Sequence, residues 1–194
     1  MGIQQNKQVK RQALLDAAYE LFLERGTAKT SIGDIASRAN VAKGTFYLYF
    51  SDKDAITRTL LGRVSYQILE EACAAAGKLG SASFADKVLA VADYVVEYLR
   101  RETLVLRLLQ RNLEWPSAEG LSSGDEPTPL IQRILEFGRG CPEMEDRTPQ
   151  DIYRRTAALV SMCVSMCYSC IIEEKPDTID NMKPVLYDII RKSL

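Results

Sequence analysis

The chain has 194 residues, with 25 Lys and Arg against 26 Asp and Glu, five cysteines and no histidine. That length holds one medium domain, or a small domain joined to a larger one. The lack of histidine excludes His-based triads, His general acid–base chemistry and His-ligated zinc, and no Walker-type or dinucleotide-binding glycine loop is present.

Charge is divided unevenly along the chain. Residues 1–53 carry eight Lys or Arg against five Asp or Glu, a net of +3; residues 54–194 carry 17 against 21, a net of −4. A basic head on an acidic body suits a protein that presents one end to a polyanion. The N-terminus MGIQQNKQVKR is polar and basic rather than signal-like, and no apolar run is expected to reach membrane-spanning length. The expectation is a cytoplasmic protein with no membrane partner, its five cysteines held in a reducing compartment.

The first expected helix covers residues 7–25. Leu14, Leu15, Ala18, Leu21 and Phe22 share one face, and Gly26 ends it. Residues 30–53, TSIGDIASRANVAKGTFYLYFSDK, then read as two short helices around a tight turn. Ser31 can cap the first, with Asp34 three residues on as a weak capping box. Ile32, Ile35 and Ala36 share a face, and Asn40 tolerates the left-handed turn. The second helix is expected over residues 42–50. Phe46 and Phe50, four apart, point inward together. Lys43, Gly44, Thr45, Tyr47, Leu48 and Tyr49 are left for the outer faces. Lys43 offers charge, Gly44 close backbone approach, Thr45 a hydroxyl and a methyl, and the tyrosines phenols for phosphates and rings for sugars. Lys53 begins the next helix, where its ammonium and the free N–H groups could hold a phosphate. This is the layout of a helix-turn-helix that reads a DNA major groove.

The rest of the chain also reads as helical. A long helix is expected over residues 52–77, with Ile56, Leu60, Val64 and Ile68 at four-residue spacing, and further helices over 84–101 and 103–113. Residues 115–129 are rich in turn formers and read as a flexible loop. A helix follows to about residue 137, and residues 138–149 form a second break. Thr148 and Pro149 open a helix that runs to about residue 174, whose middle, AALVSMCVSMCYSC, is small or apolar nearly all round. The last helix is expected over residues 178–192. Tyr94, Tyr98, Arg107, Trp115 and Tyr153 are candidates to line a small-molecule cavity. Cys163, Cys167 and Cys170 lie at i, i+4 and i+7 on one helical face. They read either as small hydrophobes in a tight interface or as a thiol or soft-metal sensor. No other metal site and no cofactor is expected.

RQALLDAAYELFLERGTAKTS, from Arg11, together with DIASRANVAKGTFYLYFSDKDAI, to Ile56, resembles the DNA-binding domain of the TetR family of bacterial one-component transcriptional regulators. Two positions depart from the family pattern: Asn40 stands for the usual turn glycine, and Ala42 for the usual serine-like cap. The resemblance implies an all-α protein: a three-helix helix-turn-helix domain in residues 1–53, followed by a larger helical ligand-binding and dimerisation domain in residues 54–194. It places Thr30, Lys43, Gly44, Thr45, Tyr47, Leu48, Tyr49 and Lys53 at DNA-contact positions. It also implies a homodimer paired through the last two helices, about residues 148–192, and a non-enzymatic repressor released from a palindromic operator by a small-molecule effector. A regulator that responds to thiol chemistry or metal through Cys163, Cys167 and Cys170 is the alternative.

Overall fold

A computed structural model describes residues 2–80, 82–115, 128–139, 144 and 146–193, with side chains from residue 6 onward. The described residues form helices α1 (Gly2–Arg25), α2 (Ile32–Arg38), α3 (Lys43–Phe46), α4 (Lys53–Gly77), α5 (Phe84–Arg101), α6 (Thr103–Asn112), α7 (Pro129–Arg139), α8 (Pro149–Ile172) and α9 (Ile179–Ser193). No strand occurs among them. Most of the loop expected over residues 115–129, and Cys141, lie outside the described residues.

The chain divides into two compact units, residues 1–63 and 64–194. The boundary read from the sequence, 53/54, falls ten residues earlier. The difference has a local cause: the first turns of α4 are tied into the first unit. Lys53 Nζ donates to the carbonyls of Thr27 (2.8 Å) and Thr30 (3.2 Å), and Arg63 pairs with Asp16 at 3.1 Å. Ile56, Leu60 and Leu61 are buried there.

In the first unit, α1 ends where expected. Gly26 takes φ +78° and its N–H bonds the Phe22 carbonyl at 2.9 Å, an αL cap. Leu14, Leu15, Ala18, Leu21 and Phe22 are buried along one face, as their spacing required. Ser31 and Asp34 cap each other's backbone at the start of α2, so the box read as weak is complete. The end of α2 is a Schellman motif: Val41 N–H reaches the Ala36 carbonyl (2.9 Å) and Asn40 N–H the Ser37 carbonyl (3.1 Å). Asn40 sits at φ +53°, the left-handed position the turn needs.

In the second unit, α8 packs against α5, α6, α7 and α9. Thr148 caps it by accepting from Asp151 N–H, with Pro149 in the first turn. The expected end near residue 174 shortens to Ile172, because Glu174 turns left-handed at φ +56°. α9 is held to α5 by charge: Lys183 meets Asp93 (2.7 Å) and Glu97 (2.6 Å), and Arg100 grips Asp180 through two bonds. One expectation needs correcting. α8 is long and apolar enough, by length and composition alone, to cross a membrane, and 22% of its most apolar window is buried. Leu159, Val160, Val164, Ile171 and Ile172 supply most of that apolar character, and the alanines, cysteines and methionines the rest.

Candidate nucleic-acid interface and effector cavity

The helix-turn-helix presents one bare surface. α3 is shorter than the nine residues expected. The turns here mix bond types: Thr45 N–H to Ala42 (2.8 Å), Leu48 N–H to Thr45 (3.2 Å) and Tyr49 N–H to Phe46 (2.9 Å) are i→i+3, while Phe50 N–H to Phe46 (3.0 Å) is i→i+4. This path keeps Phe46 and Phe50 inside, with ring centroids 5.7 Å apart, while Tyr47 is 52% and Leu48 79% exposed. Lys43 and Gly44 are exposed, and Thr45 and Tyr49 half-buried. These six residues therefore form one patch, with Phe46 as the root beneath it. Tyr47 stands edge-on to Phe46 at 5.6 Å, which orients its ring. Arg11 lies over the Phe50 ring at 5.4 Å, joining α1 to the same support.

Gly44 adds an independent clue. A Cβ built there meets no atom within 4 Å, and its φ is not in the left-handed range. Nothing inside the protein requires glycine at this position, although glycine weakens a helix by roughly 0.5–1 kcal/mol relative to alanine.

Two residues placed on this surface by the family resemblance have internal work instead. Thr30 is 1% exposed, and its hydroxyl donates to the Gly26 carbonyl at 2.8 Å. Its side chain is not offered outward. Lys53 is half-buried and spends its ammonium on the Thr27 and Thr30 carbonyls. The start of α4 is also occupied. Asp52 Oδ1 accepts from Ala55 N–H at 2.6 Å, a bond that pulls the carboxyl below its usual range, with the Ser51 hydroxyl assisting. An anion already sits where a phosphate was expected. Thr30 and Lys53 thus brace the patch. The sequence reading also missed a second brace. Arg38 on α2 bonds Glu24 twice (2.8 and 2.9 Å) and Glu20 once (3.0 Å) on α1, fixing the angle between those helices.

The second unit holds a cavity of about 180 Å³ between its helices. Its wall is apolar, built from residues such as Leu99, Val95, Phe137, Ile134 and Val164, with Ser65, Thr156 and Arg155 as polar exceptions. Of the five candidate lining residues, Trp115 borders it. The other four are placed elsewhere. Tyr94 bonds Glu71 at 2.6 Å, Arg107 is exposed, and Tyr98 does not reach the wall. Tyr153 is buried with Ile131, Leu135 and Ile152, where Trp115 meets it edge-on at 5.9 Å. Aromatic and charged residues were singled out from the sequence; the wall is made of ordinary aliphatic ones, which periodicity marks as core without showing where core leaves a gap.

The cysteine row is buried: Cys163, Cys167 and Cys170 are at most 5% exposed. Burial pushes Cys163 up to about 11 and Cys167 up to about 12, so the thiolate needed for sensing or soft-metal binding is disfavoured at neutral pH. No group of three or more potential metal ligands occurs among the described residues.

Comparison with known proteins agrees with this geometry. Residues 14–60 match the family model described as bacterial regulatory proteins, tetR family. An uncharacterised HTH-type transcriptional regulator of Bacillus subtilis, YvdT, is 51% identical over 47 residues, which is 24% of each chain. The match to curated relatives spans a third or less of their own length. At the level of fold the likeness is longer. A TetR transcriptional regulator from Rhodococcus sp. RHA1 superposes with a TM-score of 0.70 at 19% identity, covering 97% of both chains. Thermus thermophilus FadR, described as a transcriptional repressor in complex with lauroyl-CoA, gives 0.66 at 20% identity over 93% of this chain and 92% of its own. Residues 14–60 thus carry the signature of the tetR family of bacterial regulatory proteins, and nearly the whole length has the all-helical fold of solved TetR transcriptional regulators.

Proposed function

We propose that this protein is a cytoplasmic repressor that binds a palindromic DNA operator as a homodimer and releases it when an apolar small molecule fills the cavity of the second unit. The observation that carries the DNA half is the patch of Lys43, Gly44, Tyr47 and Leu48, exposed beside half-buried Thr45 and Tyr49 on a braced support. Leu48 is far too exposed to serve the core, and Gly44 is a helix glycine with open space around it. Both choices make sense against a duplex: the glycine lets backbone approach, and the leucine meets a thymine methyl. Thr30 and Lys53 act in this reading by holding the patch in place.

Two copies are needed because one short helix reaches too few bases. A palindrome with half-sites about 34–36 Å apart, or a multiple of that, fits a two-fold dimer. α9 leaves Val185 and Ile189 half-exposed, and α8 is apolar well beyond what is buried, so these two helices supply the pairing surface. That incomplete burial also favours a protein partner over a bilayer for α8, which already packs against four other helices.

The effector half rests on the cavity. Its wall suits a molecule with an apolar body, as in the FadR complex with lauroyl-CoA. α4 begins with Lys53 in the brace and carries Ser65, Ile68 and Leu69 to the cavity wall. A ligand that moves α4 would alter the brace, and coupling of about 1–3 kcal/mol is enough for regulation.

Footprinting on DNA upstream of the protein's own gene tests the reading. A symmetric protected site is expected, lost on adding an apolar effector and weakened steeply by salt as counterions are released. Absence of any sequence-specific protection at low salt would sink it.

A further inference from the structure

Among the described residues, Arg155 is the one charged residue in a mostly apolar cavity wall. Its side chain is 41% exposed, so it both borders the cavity and reaches solvent: it stands at the mouth. Its surroundings leave it with charge to spare. Asp151 is shared between two guanidiniums, Arg155 Nε at 3.1 Å and Arg147 Nη1 at 2.9 Å. Arg155 Nη1 also reaches the Ser193 carbonyl at 3.3 Å, a long contact to a neutral group. A guanidinium has five N–H donors. These bonds use Nε and one N–H of Nη1, which leaves Nη2 without a hydrogen bond among the described residues. Two other polar groups of the wall are committed: Trp115 Nε1 to Ser161 Oγ (3.0 Å), and the Thr156 hydroxyl to the Ile152 carbonyl (2.9 Å).

We propose that the effector is amphipathic and anionic: a single apolar chain or ring system lies in the cavity, and one acidic head group at its mouth is bound by Arg155. This deepens the reading of the cavity as an effector site and rests on it. A carboxylate or a phosphate supplies the same chemistry, since each accepts two parallel N–H bonds from a guanidinium. Either could displace the long contact to Ser193 without breaking the pair with Asp151. A cationic head would meet two arginines against one carboxylate. A neutral head would gain only an ordinary hydrogen bond.

The full-length protein carries its own reporter, because Trp115 is the chain's single tryptophan and it borders the cavity. Titrations of its fluorescence with decanoate, decyl phosphate, 1-decanol and decyltrimethylammonium separate the head groups on one common chain. Decanoate or decyl phosphate is expected to bind about tenfold or more tighter than decanol, the size of one charge-assisted hydrogen bond. Whichever of the two is tighter identifies the source of the charge. In the Arg155→Gln variant this advantage should vanish while decanol affinity stays within about twofold, and Arg155→Lys should keep part of it. Equal binding of decanol and both anions by the wild-type protein overturns the proposal, as does a preference for the quaternary ammonium. That comparison needs no variant, so a misfolded Arg155→Gln leaves the test intact. Failure of all four probes to alter the fluorescence overturns the effector cavity itself, and the proposal with it. Decanol binding without an anionic preference overturns the anionic effector and its arginine contact but leaves the effector cavity standing.

Discussion

Residues 1–63 and 64–194 carry their candidate sites in opposite ways. In the first unit the candidate site is convex, and its residues break the rules of folding. Leu48 is out in solvent, two tyrosines share a short turn, and Gly44 occupies a place where any small side chain would fit. In the second unit the candidate site is concave, and its residues obey those rules. Leu99, Val95 and Ile134 are the aliphatic helix residues that a core demands, and the cavity exists only because they fail to fill the space between them. A site built from exceptions announces itself in sequence. A site built from the ordinary core does not.

The largest effect that would sharpen this contrast comes from the root of the convex patch. Phe46 is fully buried, so Phe46→Ala should destabilise the first unit by about 3–5 kcal/mol and abolish DNA binding. Thermal unfolding followed by circular dichroism should then show an early transition, with Trp115 fluorescence reporting a later one from the second unit. A single early transition in both signals would break the contrast. Tyr47→Ala comes next. It should leave the melting temperature nearly unchanged, because the side chain is half-exposed. It should weaken operator binding by about 1.5–3 kcal/mol, the value of a hydrogen bond to a charged phosphate, read by fluorescence anisotropy of labelled DNA.

In the concave unit the comparable position is Gly138. A Cβ there would lie 2.8 Å from Ile152 Cγ2, where α7 meets α8 at the cavity wall. Gly138→Ala should cost about 1–3 kcal/mol through overpacking, and should reduce cavity binding of decanol without altering DNA affinity in the absence of ligand. A smaller effect distinguishes the cysteine row from a sensor. The folded pKa values of Cys163 and Cys167, about 11 and about 12, lie above the ordinary 9.0. The folded state therefore favours the neutral thiols. Their contribution to stability is complete below pH 9 and is lost as pH rises toward 11–12. Denaturant midpoints measured across that window should fall, and fall less steeply in Cys167→Ala. Rapid modification of these thiols at neutral pH in the native protein would contradict the packing role.

The same division explains how much of the protein is legible in its sequence. Nearly every helix was legible, because the periods of Leu14 to Phe22 and of Ile56 to Ile68 are long and the stops at Gly26 and Asn40 are chemically specific. The end of α3 was not, because the mixed i→i+3 and i→i+4 bonds from Thr45 to Phe50 accompany the seating of two phenylalanines under one turn. The exposed patch was legible in its centre, from Lys43 to Tyr49. It failed at its edges, Thr30 and Lys53, because a free ammonium and one bonded to two carbonyls are written with the same letter. The cavity was illegible for the reason given above, and the weight placed on aromatic residues led to Tyr94, Tyr98, Arg107 and Tyr153 instead.

The smallest change in the protein tests the account most directly. Gly44→Ala adds one methyl group into open space, so it should raise the stability of the first unit by about 0.4–1 kcal/mol. The same methyl should meet the duplex and lower operator affinity by about tenfold, roughly 1.4 kcal/mol. A protein that melts higher and binds DNA more weakly is the predicted result. Unchanged affinity in the more stable variant would mean that no nucleic acid comes close to α3, and that the exposed patch serves something else.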